Sequence, residues 1–259
     1  MAESKGAHGE IMRLGGTPLP AKLRNDAIVE VIFEMRFDML TIPEILIGRL
    51  ADHEPWKGFT QRRLPAYEIP APLRQADPNL RFQAVFELSS DERHVRIGPE
   101  VISYHRTAPY VGWQQFQPEL NETIDALFHV ADGLTIRRLG LRYLNALRSD
   151  PHRISSVSDL DLEIQVAGER LSGNVNLNFT TDVAPTGACT VRIATTEFIQ
   201  GKLPPNTSVF VDVDVFTKDG FEAKQPPVVK EWLAAAHAAE KQHFFRLLTD
   251  QCVEALQED

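Results

Sequence analysis

The chain of 259 residues carries 27 Lys and Arg against 36 Asp and Glu, which gives a formal net charge of −9. This acid excess argues against general nucleic-acid binding, which needs a basic surface to displace counterions from phosphates. The two cysteines, Cys189 and Cys252, are too few for a disulfide framework or a cysteine-based zinc site. A hydrophobic content of 43% is ordinary for a globular protein, and the length fits one large domain or two small ones.

The beginning of the chain is rich in glycine and poor in bulky apolar groups, so we predict that residues 1–20 form a flexible tail. Its polar opening, MAESKGAHGE, lacks the apolar core of a signal peptide. No run of about 18 apolar residues could span a membrane. We therefore expect a cytoplasmic protein that does not bind membranes.

The first half of the chain begins with a strong strand pattern, IVEVIFEMRF at Ile28–Phe37. Thr41, Pro43 and Glu44 then form a capping-box pattern, which predicts a helix to about His53. The proline-rich residues 54–79 predict a long irregular connection. The next predicted elements are strands at Arg81–Leu88, His94–Ile97 and Val101–Arg106 and a helix at Trp113–Val130.

The second half begins with a long strand pattern, Leu134–Arg148, followed by an ambiguous stretch at Val157–Val166. Further strands are predicted at Val175–Thr180, Thr190–Phe198 and Ser208–Phe216, and a helix from Pro226 to about Leu256. Apolar positions along this helix, among them Trp232 and Phe244, form one stripe. We predict that this stripe packs on a sheet.

The order of these elements predicts an α+β fold. Residues 21–131 and 132–259 both follow a β-α-β-β-β-α order and could be two pseudo-repeated halves of one compact unit. This order fits one large, mostly antiparallel sheet with the helices on one face. TATA-box-binding-protein-like and helix-grip folds have related layouts, an analogy that carries no function.

Three stretches of the chain resemble one family. NDAIVEVIFEMRF at Asn25–Phe37 is similar to the opening of a sporadically distributed prokaryotic family of uncharacterised proteins. RLGLRYLNAL at Arg138–Leu147 resembles its central strand, and the C-terminal segment with Trp-Leu, His237, Phe244 and Thr249-Asp250 resembles its closing helix. The resemblance implies no catalytic residues. The family's sporadic distribution suggests a role in a mobile defence or toxin-related locus.

The motifs of common enzyme classes are absent, including the P-loop, the dinucleotide-binding glycine motif and the zinc-protease motif. Asp212 and Asp214 lie two apart on a strand, a spacing that suits a divalent metal but is more typical of one solvated strand face. Glu30, Glu34 and Arg36 are only weakly similar to the opening of triphosphate-tunnel enzymes. We predict no catalytic residue, no metal and no cofactor.

The C-terminal helix pattern offers one further set of candidate metal ligands. His237, Glu240 and His243 are spaced at three-residue intervals and turn around the helix, so one metal could bind all three only awkwardly. Glu240 also occupies a position where an apolar residue is expected. We interpret the histidines as structural or surface groups and the cysteines as structural thiols.

The predicted strands alternate apolar and polar side chains, so one face of the sheet should pack on helices and the other should be polar. Cross-strand ion pairs could account for this polar face, or it could be a platform for a ligand or partner. Our candidate binding residues on it are Glu34, Arg36, Arg138, Arg142, Asn176, Asp212 and Asp214. We expect Arg138 and Arg142 to point toward Asn176 and the two aspartates, with Gly140 leaving room between them.

Our leading hypothesis is a non-catalytic binding or accessory protein with an unknown protein partner. The alternative is an enzyme or sensor that acts on a small anionic or nucleotide-like ligand at the polar face. A homodimer is left open.

Overall fold

The computed structural model describes residues 23–170 and 173–258, so the predicted tail at residues 1–20 lies outside the described residues. Its main feature is one antiparallel sheet of nine strands. The strands are β1 (Ile28–Asp38), β2 (Thr60–Arg63), β3 (Phe86–Ser90), β4 (Arg93–Ile97), β5 (Val101–Thr107), β6 (Thr135–Arg148), β9 (Asn176–Val183), β10 (Gly187–Thr195) and β11 (Thr207–Phe216). Between β6 and β9, β7 (Gln165–Val166) and β8 (Glu169–Arg170) form a small separate hairpin. The order across the sheet is β2-β3-β4-β5-β1-β6-β11-β10-β9.

Helices cover one face of this sheet. They are α1 (Pro43–Ala51), α4 (Trp113–Val130), α5 (Pro226–Arg246) and α6 (Asp250–Gln257), whose buried side chains join the core, whereas the short helices α2 (Ala71–Ala76) and α3 (Pro78–Arg81) have no buried residues. Short 3-10 turns occur at Pro65–Glu68, Val157–Asp159 and Thr196–Phe198. Within the described ranges, no helix combines the length and apolarity needed to cross a membrane.

The core lies between the sheet and these helices. Along most of β1 and β6 alternate side chains, such as Phe33 and Leu141, are fully buried, because a strand presents alternate residues to opposite faces. From α5, Trp232 enters this core and its Nε1 donates to the carbonyl of Thr186 at 2.8 Å. We call this side of the sheet the helix face and the opposite side the polar face.

The predicted α+β class with a large antiparallel sheet is confirmed. The strand predicted at Leu134–Arg148 is β6, which lies in the interior of the sheet between β1 and β11. The helix predicted at Trp113–Val130 is α4, with the same bounds. The buried apolar stripe on α5 also agrees with the prediction for the C-terminal segment.

Three predictions for the first half were wrong. Residues 54–79 are not irregular, since they contain β2, α2 and part of α3, which their prolines concealed. The strand predicted from Arg81 begins only at Phe86, because α3 continues to Arg81. Thr41 does not cap α1: its side-chain oxygen accepts a hydrogen bond from the backbone N–H of Asp132, and the N-cap position is Ile42.

Two predictions for the second half also need correction. The single C-terminal helix is two helices, since α5 ends at Arg246 and Thr249 caps a new helix, α6, by accepting from the N–H of Cys252. The strand predicted at Thr190–Phe198 ends at Thr195 and continues as a 3-10 turn. Both errors arise where an apolar pattern continues past a change of backbone direction.

Candidate functional site

The candidate site is a groove on the polar face, above the centre of the sheet. It has a volume of about 230 Å³ and extends over β5, β1, β6 and β11. Its lining residues are Ile32, Glu34, Arg36, Ser103, His105, Arg138, Gly140, Arg142 and Asp214. We call it the polar groove. Five of the seven candidate binding residues line it, and Asp212 pairs with one of them.

One carboxylate in the polar groove accepts hydrogen bonds from two arginines. Oε1 of Glu34 accepts from Nε of Arg36 at 2.8 Å and from Nη1 of Arg138 at 2.8 Å. These three side chains are 25–31% exposed, so they are open to solvent from the groove. Because one negative charge faces two positive ones, this trio carries a net positive charge toward the groove.

Gly140 lies between Arg138 and Arg142, but it does not leave the open space that we expected. A Cβ atom built on Gly140 would lie 3.0 Å from Nη1 of Arg138. The guanidinium of Arg138 therefore occupies that space, with its Cζ atom 5.0 Å from the ring centre of Phe216. Because Gly140 has no side chain, the guanidinium of Arg138 can lie over the floor of the groove at this position.

Arg142 and Asp212 form a two-pronged ion pair beside the groove. Nε of Arg142 donates to Oδ1 of Asp212 at 2.8 Å and Nη2 donates to Oδ2 at 2.5 Å. The hydrogen bonds to Asp212 raise the pKa of Arg142, so this guanidinium stays charged. Since Asp212 is only 7% exposed, the pair holds a buried charge that would be costly alone.

Asp214 supplies an acid near the middle of the groove. Its Oδ2 atom lies 4.0 Å from Nη2 of Arg138. Burial raises the pKa of Asp214 to about 6, an effect that Arg138 and Arg142 oppose and that Asp212 and Glu34 increase. This carboxyl group can therefore exchange a proton near neutral pH.

His105 and Ser103 form a wall of the groove that sequence analysis did not single out. Nδ1 of His105 lies 2.7 Å from Oε1 of Glu30, and its Nε2 lies 2.9 Å from Oγ of Ser103. Burial lowers the pKa of His105, so the neutral ring donates to the Glu30 carboxylate and accepts from the serine hydroxyl. The alternation in VISYHRT places Ser103 and His105 on the polar face, a signal that could have identified them.

Asn176 is not part of this site, which corrects our expectation. It lies on β9 at the edge of the sheet, with β10 and β11 between it and β6. There its Oδ1 atom accepts from Nε of Arg192 at 3.0 Å. Strand order, which sequence periodicity does not reveal, separates Asn176 from Arg138 and Arg142.

A second charged cluster on the polar face surrounds Glu87 on β3. This carboxylate is 1% exposed and accepts from Nε of Arg62 at 2.7 Å and from Nε of Arg96 at 2.8 Å. Nδ1 of His94 lies 3.5 Å from it. Burial alone would raise the pKa of Glu87, but the hydrogen bonds from Arg96 and Arg62 outweigh it and the pKa lies below its ordinary value. Glu87 is thus a buried ionised group held by two guanidinium groups.

The other candidates have structural explanations. Within residues 23–170 and 173–258 no cluster of three His, Cys, Asp or Glu could hold a metal ion. His237 contacts Tyr143, and His243 contacts the carbonyl of Ala239 on its own helix. Both cysteines are free and buried, and burial raises the pKa of the Cys189 thiol to about 12, so it is unsuited to nucleophilic chemistry.

Comparison with family models and with curated proteins gives no relative from which a role could be transferred. No family model matches the chain, and no curated protein matches it at a significant level. The functional argument therefore depends on the geometry of the site.

Proposed function

We propose that the protein is a non-catalytic binding or accessory protein, and that the polar groove holds a carboxylate or phosphate group of its partner or ligand. The observation that carries this proposal is the sharing of Glu34 by Arg36 and Arg138. One carboxylate for two guanidinium groups leaves N–H donors to spare, and the other acid of the groove, Asp214, lies 4.0 Å from Arg138 and has a pKa raised to about 6 by burial. A guanidinium is a planar donor array that matches the oxygens of carboxylate and phosphate.

The charge pairing elsewhere in the groove supports a defined position for that anion. Arg142 already donates two hydrogen bonds to the buried Asp212, so its capacity is largely used. Arg36 and Arg138 are the better anion ligands because they share a single acceptor oxygen. We infer that an incoming anionic group contacts these two arginines first.

The wider role is proposed on the family resemblance. The sporadic distribution of the similar family supports a place in a prokaryotic defence or toxin-related locus, with a cytoplasmic protein as partner. We also propose that the sheet consists of two repeated halves, in a layout like TATA-box-binding-protein-like or helix-grip folds. The sheet order supports this, because a three-strand meander flanks each of the adjacent strands β1 and β6.

Anion binding can be measured by calorimetric titration of the full chain with inorganic pyrophosphate at low salt near neutral pH. The double variant Arg36→Gln/Arg138→Gln should weaken binding by at least about tenfold, because two charge-assisted contacts are lost. The matched control is Arg192→Gln, an arginine of the same face that lies outside the groove. It should change the affinity by less than about twofold.

Two results would contradict the proposal. One is the absence of saturable binding for both pyrophosphate and a glutamate-rich peptide. The other is an equal loss of affinity in the double variant and in Arg192→Gln, which would indicate diffuse surface charge. Melting temperatures of the variants would show that each is folded.

The position of Asp214 favours one alternative function, an enzyme or sensor for a small anionic or nucleotide-like ligand. Its pKa of about 6 would allow it to accept or donate a proton beside an anion bound at Arg138. This alternative predicts that a bound nucleotide is turned over and that Asp214→Asn abolishes turnover without preventing binding. Binding with no turnover at any pH would favour the non-catalytic function.

A further inference from the structure

A second cavity lies on the helix face, between β1, β6, the first turn of α4 and the middle of α5. Its volume is about 80 Å³, which is room for about five water-sized groups. The rings of Tyr110, Trp113 and Tyr143 line it, together with the carboxyl group of Glu240. We call it the Glu240 cavity. It is on the opposite side of the sheet from the polar groove.

Glu240 is buried without a donor for its carboxylate. The residue is 5% exposed, and no group in the described part of the chain donates a hydrogen bond to its carboxyl oxygens. An ionised carboxylate in an apolar cavity is costly unless a cation or several donors accompany it. Burial accordingly raises the pKa of Glu240 to about 8, with Lys241 opposing this only in part.

The neighbouring polar groups are engaged elsewhere. Lys241 has an interaction of its own, and its charge acts on Glu240 by partly opposing the effect of burial. His237 is neutral, because burial lowers its pKa to about 3, and its ring stacks on Trp113 at 3.9 Å. Nδ1 of His237 lies 3.3 Å from Oη of Tyr143, and Nδ2 of Asn145 donates to the carbonyls of Tyr143 and Val211. The described groups that line the cavity therefore leave the Glu240 carboxyl group to a ligand.

We propose that the Glu240 cavity binds a small organic cation, an alkylammonium group of about five non-hydrogen atoms, with Glu240 as its counter-ion. An ammonium N–H group would form a charge-assisted hydrogen bond to the carboxylate. The alkyl part would contact the aromatic walls, whose ring faces attract cations. The sequence gives an independent indication, since Glu240 stands where the helix pattern calls for an apolar residue.

The test compares two probes of nearly equal shape and different charge. Tert-butylammonium and tert-butyl alcohol would each be titrated into the full chain by calorimetry near neutral pH. We expect the cation to bind at least about tenfold more tightly than the alcohol. Glu240→Gln should reduce this preference to within about twofold, whereas Glu231→Gln, an exposed glutamate of the same helix, should leave it unchanged.

The pH dependence of binding separates Glu240 from its neighbours. The other titratable groups that face the cavity are Asp26, Tyr110, Tyr143, His237 and Lys241. Because the ammonium group requires an ionised Glu240, its affinity should rise with pH between about pH 6 and pH 8 in the wild type and stay flat in Glu240→Gln. The affinity of the alcohol should not rise.

Three results would overturn this proposal. They are equal binding of the two probes, a cation affinity that Glu240→Gln leaves unchanged, and the absence of binding by the cation to the wild type. The wild-type comparison of cation and alcohol needs no variant, so it stands even if Glu240→Gln folds poorly. Pyrophosphate binding at the polar groove is measured separately, so either proposal can fail without the other.

Discussion

Glu87 and Glu240 are both buried, at 1% and 5% exposure, but they lie on opposite sides of one sheet. On the polar face, Glu87 is held by Arg62 and Arg96, and its pKa lies below the ordinary value because their hydrogen bonds outweigh burial. On the helix face, Glu240 has aromatic neighbours and no such donor among the described residues, and burial raises its pKa to about 8. Two glutamates with little exposed surface therefore differ in charge state at neutral pH, because Glu87 has two guanidinium partners.

This difference identifies what each side of the sheet is suited to bind. The polar face contains its own counter-ions, so a ligand there must compete with or add to existing pairs. In the polar groove Arg36 and Arg138 share the single carboxylate of Glu34, and the next acid, Asp214, lies 4.0 Å from Arg138. On the helix face the Glu240 carboxyl group has the charge of Lys241 nearby but accepts no hydrogen bond from a described residue. We therefore assign an anionic ligand to the polar groove and a cationic ligand to the Glu240 cavity.

The largest expected effect is the pH dependence of stability due to Glu240. Its pKa in the folded state, about 8, is above the value of 4.5 for an unperturbed glutamate. The folded state therefore holds the proton more tightly, and this stabilisation is complete below pH 4.5 and is lost as pH rises through 8. Between about pH 5 and pH 9 we expect the wild type to lose about 4 kcal/mol through this group.

Denaturant unfolding at several pH values would measure this loss. In Glu240→Gln the corresponding part of the pH dependence should disappear. Glu231→Gln should follow the wild-type curve, since that side chain is exposed. Parallel curves for the wild type and Glu240→Gln would mean that Glu240 titrates alike in the folded and unfolded protein.

The carboxyl group of Glu87 should affect the pH dependence of stability in the opposite direction. Glu87→Gln removes an ionised acceptor from two guanidinium groups, and we expect it to lower the free energy of unfolding by about 2–3 kcal/mol near neutral pH. The pKa of Glu87 is lowered, so its stabilisation is present above pH 4.5 and is lost as the pH falls below that value. The difference in unfolding free energy between the wild type and Glu87→Gln should therefore become smaller in acid. A difference that stays constant in acid would show that Glu87 contributes by shape alone.

The two central arginines should differ in their structural importance. Arg142→Gln leaves the buried Asp212 without its paired guanidinium and should lower the free energy of unfolding by about 1–2 kcal/mol. Arg138→Gln should cost less than about 1 kcal/mol, because Glu34 keeps Arg36 and is partly solvated. Thermal unfolding of the two single variants would measure this difference. If Arg138→Gln is the more destabilising change, Arg138 is a structural group and is unavailable to a ligand.

The smallest expected effect is that of Gly140→Ala. The added Cβ atom would meet the end of a flexible side chain, Nη1 of Arg138, at 3.0 Å. Displacement of that guanidinium should be offset by the better strand propensity of alanine, so stability should change by less than about 0.5 kcal/mol. Gly140→Ala should change the free energy of pyrophosphate binding more than the free energy of unfolding, because the added Cβ atom displaces the Arg138 guanidinium. A large destabilisation would show that the backbone at Gly140 cannot accept a side chain.

Periodicity predicted the sheet and the composition of its polar face. The alternation in IVEVIFEMRF and RLGLRYLNAL identified Glu34, Arg36, Arg138 and Arg142 as residues of one face, because a strand has a period of two. It could not give the order of strands, so Asn176 was grouped with residues three strands away. Periodicity also cannot show what surrounds a side chain. The sequence marked Glu240 as unusual, but only the packing of α4 and α5 on the sheet shows the cavity beside it.

The most direct test is a carbon-13 NMR titration of the side-chain carboxyl groups in the glutamate-labelled full chain. The variants Glu87→Gln and Glu240→Gln would each remove one signal and so assign it. We expect the Glu240 carboxyl group to titrate near pH 8 and the Glu87 carboxyl group below pH 4.5 in the same sample. If both titrate together at the ordinary value for glutamate, the two faces do not differ and the account is contradicted.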